Sequence, residues 1–237
     1  MINEEVQIEG KYKFEFLGEK FSNNFITYKV IIIGSVGVGK TSIINKLGNR
    51  EFDKDYYPTI SADIKTFQVK VNDKILQIQF WDACGNEEFV ENTPNLFKNA
   101  FIALLVYAID DISSFNYLEK WLNILERYSF DNTIFLIGNK NDLEKERKVS
   151  KEEGERFINN YGNIKIFFEI SAENGMSIQR LFEQIGFSIY EKNEIEEKKL
   201  EKEINRNGSR TYSLVKEDFT KNKEKEKEKE KEEGKCC

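Results

Sequence analysis

The chain has 237 residues, of which 39% are hydrophobic, and its net charge is −6. This length and apolar content predict one domain with tails, and we expect a monomer. The acidic balance argues against a nucleic-acid partner. Three cysteines are too few for a disulfide scaffold and fit a reducing cytosol, while the absence of histidine excludes imidazole catalysis and histidine metal sites. No apolar run reaches the ~18 residues that cross a bilayer, and the acidic start is unlike a secretory signal.

Charge and hydrophobic patterning divide the sequence into three parts. Residues 1–26 form an N-terminal extension that the pattern leaves unassigned. Residues 27–192 alternate strand-like and helix-like segments, which predicts an α/β fold with a mixed, mostly parallel six-stranded sheet and helices on both faces. Residues 193–237 form a charge-rich tail that we expect to be disordered, because it has few apolar residues to bury. The predicted strands are 27–33, 62–71, 75–81, 100–108, 133–139 and 165–170, and the predicted helices are 39–48, 93–99, 113–129, 150–160 and 176–192.

The first predicted strand is apolar and β-branched and leads directly into a glycine-rich turn and a short helix. From Gly34 to Thr41 the turn fits the pattern G-x-x-x-x-G-K-[ST]. In this context the pattern indicates a phosphate-binding loop, whose N–H groups, helix N-terminus and Lys40 face phosphate oxygens. A glycine-rich turn that matches by accident is the alternative. The residues predicted to bind nucleotide here are Ser35, Val36, Gly37, Val38, Gly39, Lys40, Thr41 and Ser42.

Three oxygen ligands for Mg²⁺ are expected around the next two strands. Thr41 is placed to offer its hydroxyl, and Asp82 directly follows the strand 75–81. Thr59 lies in a polar loop, from which it is positioned to close over the metal and a γ-phosphate, and the Gly85 N–H is expected to meet that phosphate. Release of the phosphate would free both loops, which is how a nucleotide becomes a conformational signal. The turn Asn72-Asp73 predicts that the two strands it joins are antiparallel.

Two later loops indicate a guanine base. Asp142 is expected to accept hydrogen bonds from N1–H and the 2-amino group of guanine, a donor pattern that adenine lacks. Asn139 and Lys140 would brace that loop, and the Ala172 N–H could reach the guanine O6. Because each loop follows a strand, as the phosphate loop does, the three together predict a P-loop NTPase fold. The residues predicted to bind the base are Asn139, Lys140, Asp142, Ser171, Ala172 and Glu173.

With these motifs in place, residues 27–191 resemble a small GTPase of the Ras superfamily, specifically of the Rab family. The resemblance rests on the phosphate and guanine loops and on several further segments. These segments are Thr59-Ile60-Ser61-Ala62-Asp63-Ile64-Lys65, Phe80-Trp81-Asp82, Phe97-Lys98-Asn99-Ala100, Leu105-Val106-Tyr107 and Ser113-Ser114-Phe115. The resemblance implies GTP or GDP as the bound nucleotide, Mg²⁺ as cofactor, and hydrolysis of GTP. It also implies that Phe52 stacks on the guanine and that Trp81 belongs to the surface that contacts effectors; ordinary core packing is the alternative for Trp81.

By the same resemblance, Cys236 and Cys237 at the end of the chain look like a double geranylgeranylation site. Two lipid chains make a stable membrane anchor, whereas one anchors only marginally. A pair of exposed free thiols is the alternative. The family implies a location on the cytoplasmic face of an intracellular membrane, cycling with the cytosol. It further implies effectors, an exchange factor, a GTPase-activating protein, an escort or GDI-type chaperone and a geranylgeranyl transferase as partners.

The departures from the family pattern fall on the hydrolysis step. Asn86 stands where the family usually has a glutamine that orients the attacking water, and its side chain is one methylene shorter. Val36 stands where most Rabs have serine, and it would crowd the γ-phosphate. Glu88 replaces a common arginine, and Glu173 replaces a common lysine. With Lys40 and Asn86 as the catalytic residues, we expect slow hydrolysis; a hydrolysis-deficient, GTP-bound binding module and an adenine-nucleotide kinase or ATPase are the alternatives.

Overall fold

The computed structural model describes residues 12–53, 59, 62–128 and 133–207, apart from the side chains of Glu87, Phe89 and residues 203–207. In these residues seven strands form one sheet in the order β1-β3-β4-β2-β5-β6-β7. The β1–β3 and β3–β4 pairs are antiparallel and the other four pairs are parallel. The strands are β1 (Phe14–Glu19), β2 (Thr27–Ile33), β3 (Asp63–Val71), β4 (Lys74–Asp82), β5 (Ala100–Ala108), β6 (Thr133–Asn139) and β7 (Ile164–Glu169).

The sheet confirms the predicted fold class but has one strand more than predicted. The additional strand, β1, comes from the unassigned extension 1–26 and pairs along the outer edge of β3. Its signal in the sequence is the alternation of Phe14 and Phe16 with charged residues, which is typical of a half-buried strand. The predicted hairpin is confirmed: Val71 pairs with Lys74 across the turn, and Asn72 has the positive φ of 54° that such a turn requires.

Except for one additional short helix, the helices lie where the sequence placed them, with three differences in extent. They are α1 (Lys40–Leu47), α2 (Glu87–Glu91), α3 (Ile112–Asn116), α4 (Leu118–Arg127), α5 (Lys151–Asn160) and α6 (Ile178–Asn207). The predicted helix 93–99 is only a short 3₁₀ turn, Pro94–Leu96, in which the proline has no N–H to donate. The predicted helix 113–129 is divided at Tyr117, between α3 and α4. The short helix α2 was not predicted.

The last helix is longer than the predicted 176–192 and extends into the segment 193–237, which was predicted to be a disordered tail. The protein divides into a compact unit of residues 1–190 and a second unit of residues 191–237. In the second unit α6 continues to Asn207, so the first part of the predicted disordered tail is helical. Glu194 pairs with Lys198 one turn later, and the sequence has no glycine or proline between Gly186 and Gly208. The rest of the tail, with Cys236 and Cys237, lies outside the described residues.

The core lies on both faces of the sheet. Val30 and Ile32 of β2 face one hydrophobic cluster, which includes residues of α1 and α6, and Ile31 and Ile33 face the other, which includes Trp121 of α4. All four β2 residues have no exposed side-chain surface, as expected of a central parallel strand. The parallel strands β2, β4, β6 and β7 have their C-terminal ends on the same side of the sheet. The loops that follow these strands therefore lie close together. None of the helices in the described part of the chain is both long and apolar enough to cross a membrane.

Candidate nucleotide site

A cavity of about 830 Å³ opens where these loops converge. It is lined by the phosphate loop, by the start of the loop after β4, and by both loops that were predicted to hold the base. The volume is in the usual range for a small-molecule site. The predicted nucleotide-binding residues that line the cavity are Val36, Gly37, Gly39, Lys40, Thr41, Ser42, Phe52, Thr59, Gly85, Asn139, Lys140, Asp142, Ala172 and Glu173. Ser35, Val38 and Ser171 are not among its lining residues.

The phosphate loop has the backbone that its glycines allow. Gly37 and Gly39 have φ values of 80° and 92°, which residues with a Cβ rarely adopt, and α1 begins directly after Gly39. Gly39 also faces Asn139, whose Nδ2 atom would lie 2.3 Å from a Cβ at position 39. The first residues of α1, Lys40, Thr41 and Ser42, line the cavity, and the N–H groups at the start of a helix have no carbonyl partner within it, which makes this a suitable environment for phosphate.

Lys40 is held inside the phosphate loop. Its Nζ donates hydrogen bonds to the carbonyl oxygens of Gly34 and Ser35, at 2.8 and 3.0 Å, and only 6% of the residue is exposed. Burial lowers the pKa of Lys40 to about 8, although nearby Asp82 and Cys84 oppose that shift. Phosphate oxygens would supply the negative charge that an ammonium group needs at this depth.

Thr41, Thr59 and Asp82, the three predicted metal ligands, lie together. The Thr41 hydroxyl donates to Asp82 Oδ2 at 2.5 Å, and its oxygen is 2.8 Å from the Thr59 hydroxyl. Asp82 is buried, and among the described residues its Oδ1 has no hydrogen-bond partner. Burial raises the pKa of Asp82, while the Thr41 hydrogen bond and Lys40 lower it. One carboxylate and two hydroxyls are the hard oxygen donors that Mg²⁺ prefers, so these residues fit the metal.

Asn139 connects the phosphate loop with the loop after β7. Its side-chain Nδ2 donates to the Val38 carbonyl at 2.8 Å, and its Oδ1 accepts from the Ala172 N–H at 3.1 Å. The side chain is 2% exposed, so both hydrogen bonds are protected from water. These two contacts hold the guanine loop against its neighbours, and the bracing of a bound base stays a prediction. The Ala172 N–H, which was expected to face the guanine O6, is donated to Asn139 in the structure, and its contact with the base remains a prediction.

The two base loops are joined by a second hydrogen bond. Ser171 is fully buried, and its hydroxyl donates to Asp142 Oδ1 at 2.5 Å while accepting from the Asn174 N–H at 3.1 Å. This contact leaves the other oxygen of Asp142 for a ligand. Lys140 has a φ of 66° and pairs with Asp110 at 3.3 Å, which fixes its stem along the cavity. Ser171 does not line the cavity itself, but its hydrogen bond holds Asp142, which does.

On one side of the cavity, Gly85 lies against the phosphate loop. A Cβ at Gly85 would lie 2.5 Å from the Val36 nitrogen and 2.6 Å from its Cα, so only glycine fits there. Val36 is 57% exposed and lines the cavity. Asn86 also lines the cavity and is exposed. The buried Cys84 thiol lies beside them and was not predicted to be part of the site.

Trp81 shows the core packing that was the alternative interpretation for it. The indole is half-buried and packs against the core, while its Nε1 donates to Gln79 Oε1 at 2.8 Å. The Lys29 ammonium lies 3.7 Å from the centre of the ring, within the range of a cation–π interaction. Core packing is therefore part of the role of Trp81, and its contact with effectors remains a prediction.

Several cavity residues were missed by the sequence analysis. Asn45 lies one helical turn after Thr41, and this i, i+4 spacing was a usable signal. Lys46 reaches across to the Glu173 carbonyl, with 3.3 Å between its Nζ and that oxygen. Positions after α1 carried no recognisable pattern. The missed lining residues are Asn45, Lys46, Arg50, Glu51, Asp53, Cys84 and Leu143.

Sequence comparison with known proteins identifies the family of the chain. The Ras family model matches residues 29–191. The chain is similar to Ras-related protein Rab-11B of Dictyostelium discoideum, with 34% identity over 188 residues that cover 79% of this chain and 84% of the relative. It is also similar to the Ypt/Rab-type GTPase ypt7 of Schizosaccharomyces pombe, with 39% identity over 164 residues that cover 67% and 80%. The chain therefore belongs to the Ras family and is a Rab-type small GTPase.

Proposed function

We propose that this Rab GTPase of vesicle traffic binds GTP and GDP in the cavity described above and works as a membrane-anchored switch. The observation that carries the proposal is the joining of the phosphate loop, the metal ligands and both base loops around one cavity. Backbone N–H groups and Lys40 would hold the phosphates, Phe52 and Lys140 would cover the base, and Asp142 would select guanine over adenine. A competition between GTP and ATP for the purified protein tests this assignment, and equal displacement would refute it.

In the reaction, water attacks the γ-phosphate of GTP, and GDP and phosphate are released. Lys40 would stabilise negative charge on the phosphate oxygens, and the Gly85 N–H would donate to the γ-phosphate. The Asn86 amide would orient the attacking water. Thr41, Thr59 and Asp82 would hold Mg²⁺, which supplies positive charge for the β- and γ-phosphate oxygens when it is bound. Among the described residues Asp82 Oδ1 has no hydrogen-bond partner, which supports this assignment of the metal site.

Slow hydrolysis is part of the proposal. The amide of Asn86 starts one methylene closer to the backbone than that of glutamine, and a ~1 Å misplacement of a catalytic group can cost on the order of a hundredfold in rate. Val36 adds a branched side chain at the cavity surface, next to the point where Gly85 meets the phosphate loop. Both changes affect the place where water would attack.

Single-turnover hydrolysis of preloaded GTP tests the rate. Asn86→Gln and Val36→Ser are each expected to accelerate the step, by about ten- to a hundredfold for Asn86→Gln. Asn92→Gln is the matched control, because it makes the same substitution at an exposed asparagine, whose side chain donates a hydrogen bond to the Glu88 carbonyl. If neither site variant is faster than wild type, the argument from geometry is wrong.

Anchoring and partner recruitment complete the proposed switch. Cys236 and Cys237 would each carry a geranylgeranyl chain, which holds the protein on the cytoplasmic face of an intracellular membrane. Trp81 and the loops around Thr59 and Asn86 would contact effectors in the GTP state. Exchange factor, GTPase-activating protein, GDI-type chaperone and geranylgeranyl transferase are the further partners, and the protein would act as a monomer. Intact-mass measurement of protein from its own cells tests lipidation; loss of membrane binding in a Cys236→Ser, Cys237→Ser variant is the expected result.

A second function, a GTP-loaded binding module without turnover, is favoured by the exposed Val36 side chain on the cavity surface. The ratio of GDP to GTP that co-purifies with the protein separates the two. A sample rich in GTP supports the module, and a sample with GDP alone supports a working switch.

A further inference from the structure

The N-terminal strand β1 is built into the compact unit by aromatic packing. Phe14 meets the rings of Phe182 and Phe187 with centroids 5.8 and 6.0 Å apart, and Phe16 meets Phe182 at 5.6 Å. Phe16 also lies 6.0 Å from Phe67 of β3. The strand covers the outer edge of β3 from Phe67 to Val71, an edge that would otherwise present unpaired backbone groups. The segment is therefore held in place independently of any ligand.

The segment between β1 and β2 is fixed by a buried amide. Gln77 has no exposed surface, and its Oε1 accepts hydrogen bonds from the Ser22 N–H at 2.8 Å and from Gln68 Nε2 at 3.1 Å. Its Nε2 donates to the Thr27 hydroxyl at 2.8 Å. Because buried amide groups are costly to leave unpaired, this network holds the linker against β3 and β4.

Two consecutive residues at the end of β1 reach both sides of the Thr59 loop. The Glu19 carboxylate accepts a hydrogen bond from Arg50 at 3.0 Å, and Arg50 lines the nucleotide cavity two residues before Phe52. The Lys20 N–H donates to the Thr66 carbonyl at 3.1 Å, just after the loop has entered β3. The anchored strand thus contacts the chain on both sides of Thr59.

We propose that Glu19 is a positioning residue for the wall of the nucleotide cavity and that it slows nucleotide release. By holding Arg50, it fixes the segment Arg50–Asp53, which carries Phe52 to the place where the guanine would lie. This inference rests on the proposed nucleotide site. The anchored β1 strand gives the Glu19 carboxylate a fixed origin, so that the pair restrains Arg50 and not the reverse.

The expected effect is modest because the pair is partly exposed. The side chains of Arg50 and Glu19 are 53% and 41% exposed, and ion pairs in water contribute little. Glu19→Ala should therefore accelerate release of a fluorescent GDP analogue by about two- to fivefold. Glu15→Ala is the matched control: it removes the same charge from the same strand at an exposed residue that lies opposite Lys70 and not beside Arg50, and it should release at the wild-type rate.

The experiment compares wild type, Glu19→Ala, Arg50→Ala, the double variant and Glu15→Ala. Support requires faster release by Glu19→Ala, no further acceleration when Glu19→Ala is added to Arg50→Ala, and faster amide hydrogen exchange in residues 50–53. Release by Glu19→Ala at the Glu15→Ala rate overturns the inference, as does equal acceleration in the presence and absence of Arg50. A wild type without preference for GDP over ADP overturns the proposed function instead, and the amide exchange of residues 50–53 then decides the positioning role.

Discussion

Replacing Asn139 by alanine should detach the phosphate loop from the loop after β7. The variant leaves the Val38 carbonyl and the Ala172 N–H without the partners they have at 2.8 and 3.1 Å. Both bonds lie where the side chain is 2% exposed, so water replaces the lost contacts poorly. An orphaned buried group costs about 1–3 kcal/mol. We therefore expect a loss of about 3 kcal/mol for the two groups, shared between folding and nucleotide binding.

Two measurements show how this loss of free energy is divided between folding and nucleotide binding. Thermal unfolding of the nucleotide-free protein reports the part that falls on stability, and titration with a fluorescent GDP analogue reports the part that falls on binding. If the loss falls mostly on binding, the affinity for GDP decreases by about a hundredfold, since 1.4 kcal/mol is a factor of ten. Asn160→Ala, at the exposed end of α5, is the control for removal of an asparagine. If Asn139→Ala unfolds and binds like Asn160→Ala, the bridge contributes nothing and the reasoning is refuted.

Two further predictions concern the charged groups of the site. Burial lowers the pKa of Lys40 to about 8, so the nucleotide-free protein loses this charge as the pH rises through that value and its affinity for GDP should fall; titrations across this range should show the fall in wild type and not in Lys40→Met. Burial raises the pKa of Asp82, so above that pKa the charged form costs stability until a cation neutralises it, and the cost disappears as the pH falls. Asp82→Asn should therefore melt at a higher temperature than wild type in EDTA and should not be stabilised by Mg²⁺; a retained Mg²⁺ response, or an equal effect of Asp73→Asn at the exposed hairpin turn, would contradict this.

The central sheet, and the fact that the site residues lie close together, could be predicted because the sequence signals for them are local. The apolar run before Gly34 and the turn at Asn72 each fix a short piece of backbone. Loops that follow parallel strands must then meet at one edge, whatever lies between them. Asp82, Asn139 and Ser171 came together for this reason, without any knowledge of their mutual contacts.

The missed features depend on contacts between distant parts of the chain. Strand β1 is stabilised by pairing with β3 and by packing on α6, and two alternating phenylalanines do not reveal either partner. The extension of α6 to Asn207 was hidden because its charged residues give no apolar face to recognise. Arg50 and Glu51 line the site because of the path of the chain after α1, which no motif specifies. The Ala172 N–H was assigned to the base because its competitor, the Asn139 amide, is 33 residues away in sequence.

The aromatic contacts of β1 also bear on how this protein is handled in the laboratory. A truncated chain cut to the family outline, from residue 29, would lose the ring contacts that Tyr12 and Phe14 make with Phe187. It would expose hydrophobic surface on the final helix beside an unpaired strand edge, and this combination favours aggregation of the purified protein. For this GTPase, the smallest piece suited to crystallisation or spectroscopy begins upstream of the homology boundary, at or before Tyr12.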